Sequence, residues 1–245
     1  MNATIERLLG HRSIRKFTDE VVPDETIRTI VACGQAAATS SNVQATTVVQ
    51  VKRMVTREQL AAFAGGQPYV ATAGAFLVWC ADLRRAAEAC RRTGGDFEPG
   101  MTEHFIIATI DVALAAQNAV VAAESLDYGI CYIGGLRNNP AGVAELLGLP
   151  DQVYPVFGLC IGRPAQDPEV KPRLPIEAVL MQERYDEDGE EARVAEYDET
   201  LARYYRDRTG GNKESHWSIE MRALVGKESR PHMRGFLDER GFKMR

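Results

Sequence analysis

A dense group of potential cations and hydrogen-bond donors lies near the start of the sequence, at Gly10-His11-Arg12-Ser13-Ile14-Arg15-Lys16-Phe17. It follows a short apolar helix pattern at residues 5–9, which Gly10 is suited to end. The planar guanidinium of arginine matches the paired oxygens of a phosphate, and a serine hydroxyl adds another donor. The segment alone leaves two interpretations open, a phosphate-binding site or a solvated basic loop, because short basic runs are common on surfaces.

A second pair of cations lies in Lys171-Pro172-Arg173-Leu174-Pro175. The two prolines favour an extended backbone, so Lys171 and Arg173 can both point toward one ligand. A solvated basic loop is again the alternative.

Composition and charge exclude several classes of protein. The 245 residues include 29 Lys and Arg against 34 Asp and Glu, and a net charge of −5 does not suit a protein that coats nucleic acid or an anionic membrane. The five cysteines are widely spread without a CxxC pair, and the four histidines lack metal-ligand spacing, so no metal site is expected. We expect a cytoplasmic location, since no signal-peptide pattern or bilayer-spanning stretch is evident.

The familiar motifs of nucleotide-binding and hydrolytic enzymes do not occur in the sequence. It contains no G-x-x-x-x-G-K-[ST], no G-x-G-x-x-G after a strand, no G-x-S-x-G and no H-E-x-x-H. What remains is a set of loops rich in phosphate donors, amides and glycines, without an activated nucleophile. This pattern suits a bound cofactor that carries the reaction itself.

The elements that must position these loops can be predicted from hydrophobic patterning. Continuous apolar runs at residues 75–80 and 154–162 predict strands buried on both faces, and residues 47–51 and 130–133 predict two more strands. Residues 102–126 predict a long helix that is apolar nearly all round and therefore buried. Its many alanines favour close contact with a second copy of itself, which predicts a homodimer.

Five segments together resemble the FMN-dependent nitroreductase family, in its NADPH-preferring branch of oxygen-insensitive nitroreductases and NADPH–flavin oxidoreductases. The resemblance covers essentially the whole chain. The segments are Gly10-His11-Arg12-Ser13-Ile14-Arg15, Gly65-Gly66-Gln67, Tyr132-Ile133-Gly134-Gly135-Leu136-Arg137-Asn138-Asn139, Lys171-Pro172-Arg173-Leu174-Pro175 and Lys227-Glu228-Ser229-Arg230-Pro231.

The resemblance implies an α+β fold of three α/β/α layers, with a mixed central sheet, a long buried dimer helix and a C-terminal helical excursion. It divides the chain into an FMN-binding nitroreductase core, residues 1–182, and an excursion with a cationic NADPH loop packing on the core, residues 183–245. FMN is then expected at the subunit interface of a homodimer.

The resemblance also implies the residues of the FMN site. Arg15 is expected beside the N1 and C2-carbonyl end of the isoalloxazine, where a fixed cation favours the anionic reduced flavin, and it is the one catalytic residue implied. Around the phosphate and ribityl end are His11, Arg12, Ser13, Lys171 and Arg173. Along the polar rim of the ring, with the backbone of the last three near N5 and O4, are Thr39, Ser40, Ser41, Gln67, Tyr69, Tyr132, Ile133, Gly134 and Gly135.

For the other ligands, the resemblance implies that Arg208 and Lys213 bind the 2′-phosphate of NADPH. Lys213 stands where relatives carry arginine and lacks the bidentate fork, which predicts a weaker preference for NADPH. Asn42 stands at the substrate rim where relatives carry an aromatic residue. Arg230 is a further rim cation, with a helix-terminal surface arginine as the alternative.

The implied activity is ping-pong transfer of electrons from NADPH through FMN to nitroaromatics, quinones or free flavin. Two alternatives stay open at this point. One is a dedicated NADPH:flavin reductase that supplies a partner monooxygenase, and the other is a flavin-binding protein without turnover.

Overall fold

A four-stranded sheet lies at the centre of a computed structural model that describes residues 2–245. Its strands are β1 (Thr46–Gln50), β2 (Ala75–Asp82), β3 (Gly129–Ile133) and β4 (Val153–Gly162), in the spatial order β1-β2-β4-β3. All eight residues of β2 are buried, as its continuous apolar run predicted. In the register, Val48 opposes Trp79, and Cys160 opposes both Phe76 and Cys131.

The expectation of a mixed sheet needs a correction. All three strand pairs are antiparallel, and parallel pairing occurs as an isolated bridge between Ser13 and Ile130. There the Ile14 amide donates to the Ile130 carbonyl at 2.8 Å. The basic segment approaches β3 this closely because residue 129 is glycine, whose added Cβ would lie 2.6 Å from the Ile14 side chain.

Helices cover both faces of the sheet, which confirms the three-layer α+β fold. On one face Gly34 allows tight packing, since a Cβ there would lie 2.8 Å from the Ala115 carbonyl and 3.1 Å from the Trp79 ring. On the other face the Cys160 thiol donates to the Tyr69 carbonyl at 3.4 Å. The helices are α1 (Ala3–Leu9), α2 (Asp24–Gln35), α3 (Met54–Phe63), α4 (Tyr69–Thr72), α5 (Arg84–Arg92), α6 (Thr102–Ser125), α7 (Pro140–Leu146), α8 (Glu190–Thr209), α9 (Trp217–Leu224) and α10 (Met233–Glu239).

Helix α6 is the predicted long helix, but its burial in the single chain is one-sided. Ile106, Ile110 and Leu114 recur every four residues and are 42%, 51% and 43% exposed, whereas the opposite face is buried. The expectation of burial all round is therefore wrong for the isolated chain. Within the described residues α6 is the one helix long and apolar enough to cross a membrane, yet it packs on the sheet and buries Asp111 and Glu124, as a core helix does.

The described chain forms two compact units. The core unit runs to Pro168 and includes His232–Arg245, and the excursion unit is Glu169–Pro231. This division differs from the predicted boundary at 182/183, because Tyr197 of α8 donates its hydroxyl to the Pro172 carbonyl at 2.8 Å and Leu174 packs in the same cluster.

The excursion unit has its own small aromatic core. Side chains one and two turns apart on α8 pack against Leu174 and Trp217. Gly189 and Gly210 bound this helix, both with a left-handed backbone at φ 77° and 59°. The buried residues of α8 are Tyr197, Leu201, Tyr204 and Tyr205.

Candidate functional site

Two side chains of the N-terminal basic segment, His11 and Arg12, contact carboxylates of the core unit. Nδ1 of His11 lies 2.7 Å from Oε1 of Glu124, which is buried on α6. The Arg12 guanidinium forms an ion pair with Asp167 and also donates to the Gly10 carbonyl at 3.3 Å. The contact with Glu124 fixes the orientation of the His11 ring through Nδ1.

A cavity of about 420 Å³ adjoins this segment. Its lining includes Arg7 and Arg12 as well as the carboxylates of Glu124, Asp127 and Asp167. Both signs of charge thus line the cavity, and each arginine already pairs with an aspartate, Arg7 with Asp127 at 3.2 Å and Arg12 with Asp167. A phosphate that binds Arg12 must therefore share or displace the carboxylate of Asp167.

Four residues predicted at the isoalloxazine rim come together as a rim cluster, defined as Arg15, Gln67, Tyr69 and Gly135. The Tyr69 hydroxyl donates to Oε1 of Gln67 at 2.8 Å, and Nε2 of Gln67 donates to the Ala64 carbonyl at 2.9 Å. A Cβ on Gly135 would lie 2.4 Å from that carbonyl and 2.9 Å from Nε2 of Gln67. Glycine is thus the residue that lets this backbone approach the polar cluster.

The electrostatics of the rim cluster involve Tyr69 and Arg15. Burial raises the pKa of the Tyr69 hydroxyl, with Cys131 adding to the rise, and the guanidinium of Arg15 beside it opposes that rise. The phenol therefore stays protonated at neutral pH and keeps a proton to donate. The cluster brings a guanidinium, an amide and a phenol together beside the backbone of Gly135, a donor set that suits a flat heterocycle with carbonyl and ring-nitrogen acceptors.

Arg57 fixes the helix that carries Tyr69, and sequence reasoning missed it. This residue is buried on α3 and donates from Nε to the Val70 carbonyl at 3.0 Å and from Nη2 to the Ala73 carbonyl. It thereby satisfies carbonyls at the C-terminal end of α4. Burial lowers the pKa of Arg57. An arginine within a helical pattern is typical of a surface position, so the sequence carried no signal for this role.

The predicted flavin contacts at residues 39–41 and the predicted substrate-rim residue Asn42 belong to a strained loop, defined as residues 39–45. Ser41, Asn42 and Gln44 have positive φ values of 46°, 58° and 53°. Non-glycine residues in this region cost free energy and cluster at functional sites.

Asp111 of α6 holds the strained loop in place. Its carboxylate accepts from the Thr39 hydroxyl at 2.5 Å and from the amides of Ser40 and Ala45 at 3.2 and 3.0 Å. The Thr39 hydroxyl in turn accepts from the Gln44 amide at 2.9 Å, so it is engaged within the loop. Sequence reasoning missed Asp111, although a carboxylate in the middle of an apolar helix was the available signal.

At the remaining predicted rim positions, the side chains of Tyr132 and Ile133 are engaged within the core unit. The Tyr132 ring meets Phe157 edge-on at 5.0 Å, and its hydroxyl donates to Gln117 of α6 at 3.4 Å. Burial raises the pKa of Tyr132. The Ile133 side chain is fully buried, so its backbone is what a ligand can reach, and Gly134 leaves room beside Arg137.

In the excursion unit, the predicted cations gather around two tyrosines. Nζ of Lys171 donates to the Tyr205 hydroxyl at 2.8 Å, and Nζ of Lys213 lies 4.0 Å from the centre of the same ring. Arg208 donates to the Tyr204 hydroxyl at 3.1 Å. The predicted FMN contact Lys171 and the predicted NADPH contact Lys213 thus share one tyrosine.

The other two predicted cations of the excursion unit are Arg173 and Arg230. Arg173 donates to the Lys171 carbonyl at 2.6 Å, which fixes the extended loop between them. Arg230 is half-buried with a left-handed backbone at φ 53°. Residues 2–245 contain no group of three or more His, Cys, Asp or Glu side chains able to hold a metal ion.

The three-layer α+β fold and the clusters of phosphate and heterocycle donors are typical of a cofactor-binding oxidoreductase. The chain is a member of the nitroreductase family. The model of the "Nitroreductase family" matches residues 8–163. The model of the "Nitroreductase family, C-terminal domain" matches residues 171–245.

Individual relatives span the whole chain. The NADPH-flavin oxidoreductase of Vibrio harveyi is 44% identical over 245 residues, covering 100% of both chains. The oxygen-insensitive NADPH nitroreductase of Salmonella typhimurium is 42% identical over 245 residues, again covering 100% of both. The solved structure of B. megaterium NfrA1 superimposes with a TM-score of 0.96 at 43% identity, covering 99% of this chain and 100% of that one. The family prediction is therefore confirmed.

Proposed function

We propose that this protein is a flavin-dependent NAD(P)H oxidoreductase that binds FMN and takes electrons from NADPH for small-molecule acceptors. The observation that carries the proposal is the rim cluster, in which Arg15, Gln67 and Tyr69 gather around backbone that a side chain at Gly135 would obstruct. Bound FMN supplies hydride- and electron-transfer chemistry, so the protein needs no nucleophile of its own.

The residues of the core unit fit such a cofactor in two parts. His11, Arg12 and Ser13 offer imidazole, guanidinium and hydroxyl donors for a phosphate. Gln67 and Tyr69 orient the heterocycle through directional donors and acceptors. We give Arg15 the catalytic role, because a fixed cation beside the ring stabilises negative charge that develops on it.

For the excursion unit, we propose that Lys171 and Arg173 contact FMN and that Arg208 and Lys213 recognise the 2′-phosphate of NADPH. The support is the cationic chemistry of these side chains and the contacts of Lys171, Arg208 and Lys213 with Tyr204 and Tyr205. Asn42 and Arg230 are the proposed rim residues on the acceptor side.

We propose nitroaromatics, quinones and free flavin as acceptors, with ping-pong kinetics because one open face serves donor and acceptor in turn. The name of the Vibrio harveyi relative favours a second candidate, in which free flavin is the main acceptor and its product supplies a partner enzyme. Steady-state rates with FMN, a quinone and a nitrofuran separate the two functions.

The proposed assembly is a homodimer in the cytoplasm. The exposed row of Ile106, Ile110 and Leu114 on α6 supports it, because an apolar stripe on a helix face favours self-association. Light scattering on the purified protein tests this directly. A particle of one 27.0 kDa chain would contradict the dimer.

The colour of the purified protein tests the proposed function. We expect a yellow preparation that releases FMN on denaturation and loses its flavin absorbance when NADPH is added without oxygen. A colourless protein that cannot be reconstituted with FMN overturns the proposal. A yellow protein that NADPH does not bleach supports the flavin-binding alternative without turnover.

A further inference from the structure

The ammonium of Lys213 is already engaged by a carboxylate. Its Nζ lies 2.9 Å from Oε1 of Glu220 on α9, while its amide donates to the Thr209 hydroxyl at 2.9 Å. The face of Tyr205 lies 4.0 Å from the same Nζ. Lys213 is thus fixed from three sides.

The partner carboxylate is fixed as well. The hydroxyl of Ser215, a buried residue, donates to Oε1 of Glu220 at 2.6 Å. The hydrogen bond from Lys213, and then that from Ser215, lowers the pKa of Glu220, and Lys171 adds a smaller attraction. Glu220 therefore remains ionised at neutral pH and sits among the cations that a phosphate would seek.

NADPH and NADH differ by a single phosphate group on the 2′-oxygen, so discrimination between them depends on the cations that meet this group. A phosphate monoester at Lys213 would face the Glu220 carboxylate across the same ammonium. Like charges that share one partner oppose each other, and the resident carboxylate is covalently tethered. The phosphate must therefore displace Glu220 or accept its repulsion.

We propose that Glu220 is a specificity-determining residue that weakens selection of the 2′-phosphate by competing with it for Lys213. This inference rests on the proposed function, in which Lys213 recognises NADPH. The weaker preference for NADPH predicted from Lys213 would then also depend on a carboxylate on α9.

The binding test uses the flavin-loaded protein and two probes, 2′,5′-ADP and 5′-AMP, which differ only by the 2′-phosphate. Calorimetry should show that Glu220→Gln binds 2′,5′-ADP about two- to fivefold more tightly than wild type, the range of an exposed ion pair. Affinity for 5′-AMP should not change. In turnover, the KM for NADPH should fall while kcat and the KM for NADH stay constant.

The matched control is Glu214→Gln in the same loop. Glu214 is exposed and forms no ion pair within residues 2–245, so its substitution removes an equal charge without releasing Lys213. We expect a smaller gain than for Glu220→Gln. In a Lys213→Gln background, Glu220→Gln should no longer tighten 2′,5′-ADP binding, because the shared ammonium is absent. Melting curves identify any variant that fails to fold.

The outcomes separate this inference from the proposed function. Equal affinities of Glu220→Gln and Glu214→Gln for 2′,5′-ADP overturn the role of Glu220. In that case, weaker binding of 2′,5′-ADP by Lys213→Gln still supports the NADPH site. If Lys213→Gln binds 2′,5′-ADP as wild type does, the NADPH site itself is wrong and the inference about Glu220 is wrong with it.

Discussion

The two units of the chain hold their polar ligand-binding residues in different ways. In the core unit, buried charges lie beneath the site: Asp111 and Glu124 on α6 and Arg57 on α3. In the excursion unit, exposed lysines rest on Tyr205, and Glu220 is more than a third exposed. Removing one partner of a buried charge costs several kcal/mol of stability, so buried partners fix one geometry. Exposed ion pairs contribute little free energy, so a ligand can displace them easily.

This contrast fits the two kinds of ligand proposed. A resident cofactor benefits from a site that does not rearrange, and a donor that must leave each cycle benefits from contacts that release easily. Substitution of one carboxylate at a time tests the contrast. The expected effects on stability or FMN binding decrease from the buried carboxylates to the exposed ones.

The largest expected effect follows from Asp111→Ala. The substitution leaves the Thr39 hydroxyl and the amides of Ser40 and Ala45 without their acceptor, and the strained loop then lacks its anchor. We expect a loss of about 3 kcal/mol in the free energy of unfolding, since hydrogen bonds to a buried charge are worth more than neutral ones. Urea denaturation with matched FMN occupancy measures it.

Asp111→Asn is the matched control, because the amide keeps one acceptor oxygen in the same volume. It should lose less than the alanine variant. Wild-type stability in Asp111→Ala would show that the loop does not depend on this carboxylate.

Asp111 also shows where the sequence was sufficient and where it was not. Hydrophobic periodicity located the strands and α6, because burial imposes its pattern locally on consecutive residues. It did not predict that α6 keeps Ile110 exposed in the single chain, since the periodicity does not identify the partner surface. Nor did it predict the roles of Asp111 or Arg57, whose partners lie elsewhere along the chain or at a helix end.

The rim cluster illustrates the other limit. The resemblance to the family brought Arg15, Gln67 and Gly135 into one expected site, although they are far apart in the sequence. The hydrogen bonds that connect Tyr69, Gln67 and Ala64 depend on side-chain rotamers that no spacing rule encodes. The structure also shows that a glycine is needed at 135 because of the Ala64 carbonyl, a contact between separate segments.

The second effect concerns Glu124, which orients His11. In Glu124→Gln the carboxylate that engages Nδ1 is replaced by an amide with a single acceptor oxygen, and the ring is held less firmly. We expect FMN to bind the apo-protein about three- to tenfold more weakly, a loss within the range of one ordinary hydrogen bond, because the amide oxygen can still accept from the ring. Quenching of flavin fluorescence on binding gives the dissociation constant.

Asp127→Asn serves as the control for Glu124→Gln, since Asp127 is an exposed carboxylate that lines the same cavity and pairs with Arg7. It should leave FMN binding nearly unchanged. Equal losses in both variants would mean that the cavity responds to total charge and that His11 needs no positioning by Glu124.

A smaller effect of opposite sign is expected for Asp167→Asn. Asp167 is 83% exposed and engages the guanidinium of Arg12, so it competes with any phosphate there. Removing its charge should tighten FMN binding about two- to fivefold, within the range of an exposed ion pair. The same fluorescence titration measures it, and weaker binding in Asp167→Asn would show that Asp167 helps to hold Arg12 in place for the phosphate.

The smallest expected effect is a pH dependence of stability in the excursion unit. The hydrogen bond from Lys213 lowers the pKa of Glu220 below its ordinary value of 4.5, and the one from Ser215 adds to this. A carboxylate with a lowered pKa stabilises the fold above its unfolded value and loses that contribution as the pH falls through the folded pKa. The contribution is below about 1 kcal/mol, because the pair is exposed to solvent screening.

Comparison of wild type with Glu220→Gln isolates the contribution of the Glu220 carboxylate to the free energy of unfolding. The wild type should be the more stable of the two at neutral pH, and their difference in unfolding free energy should shrink as the pH falls below about 4.5. Glu220 also raises the pKa of Lys213, so the same difference should shrink again at strongly alkaline pH. A difference that stays constant from acid to neutral pH would show that Glu220 contributes through packing, and the easily exchanged ion pair inferred for this unit would then be wrong.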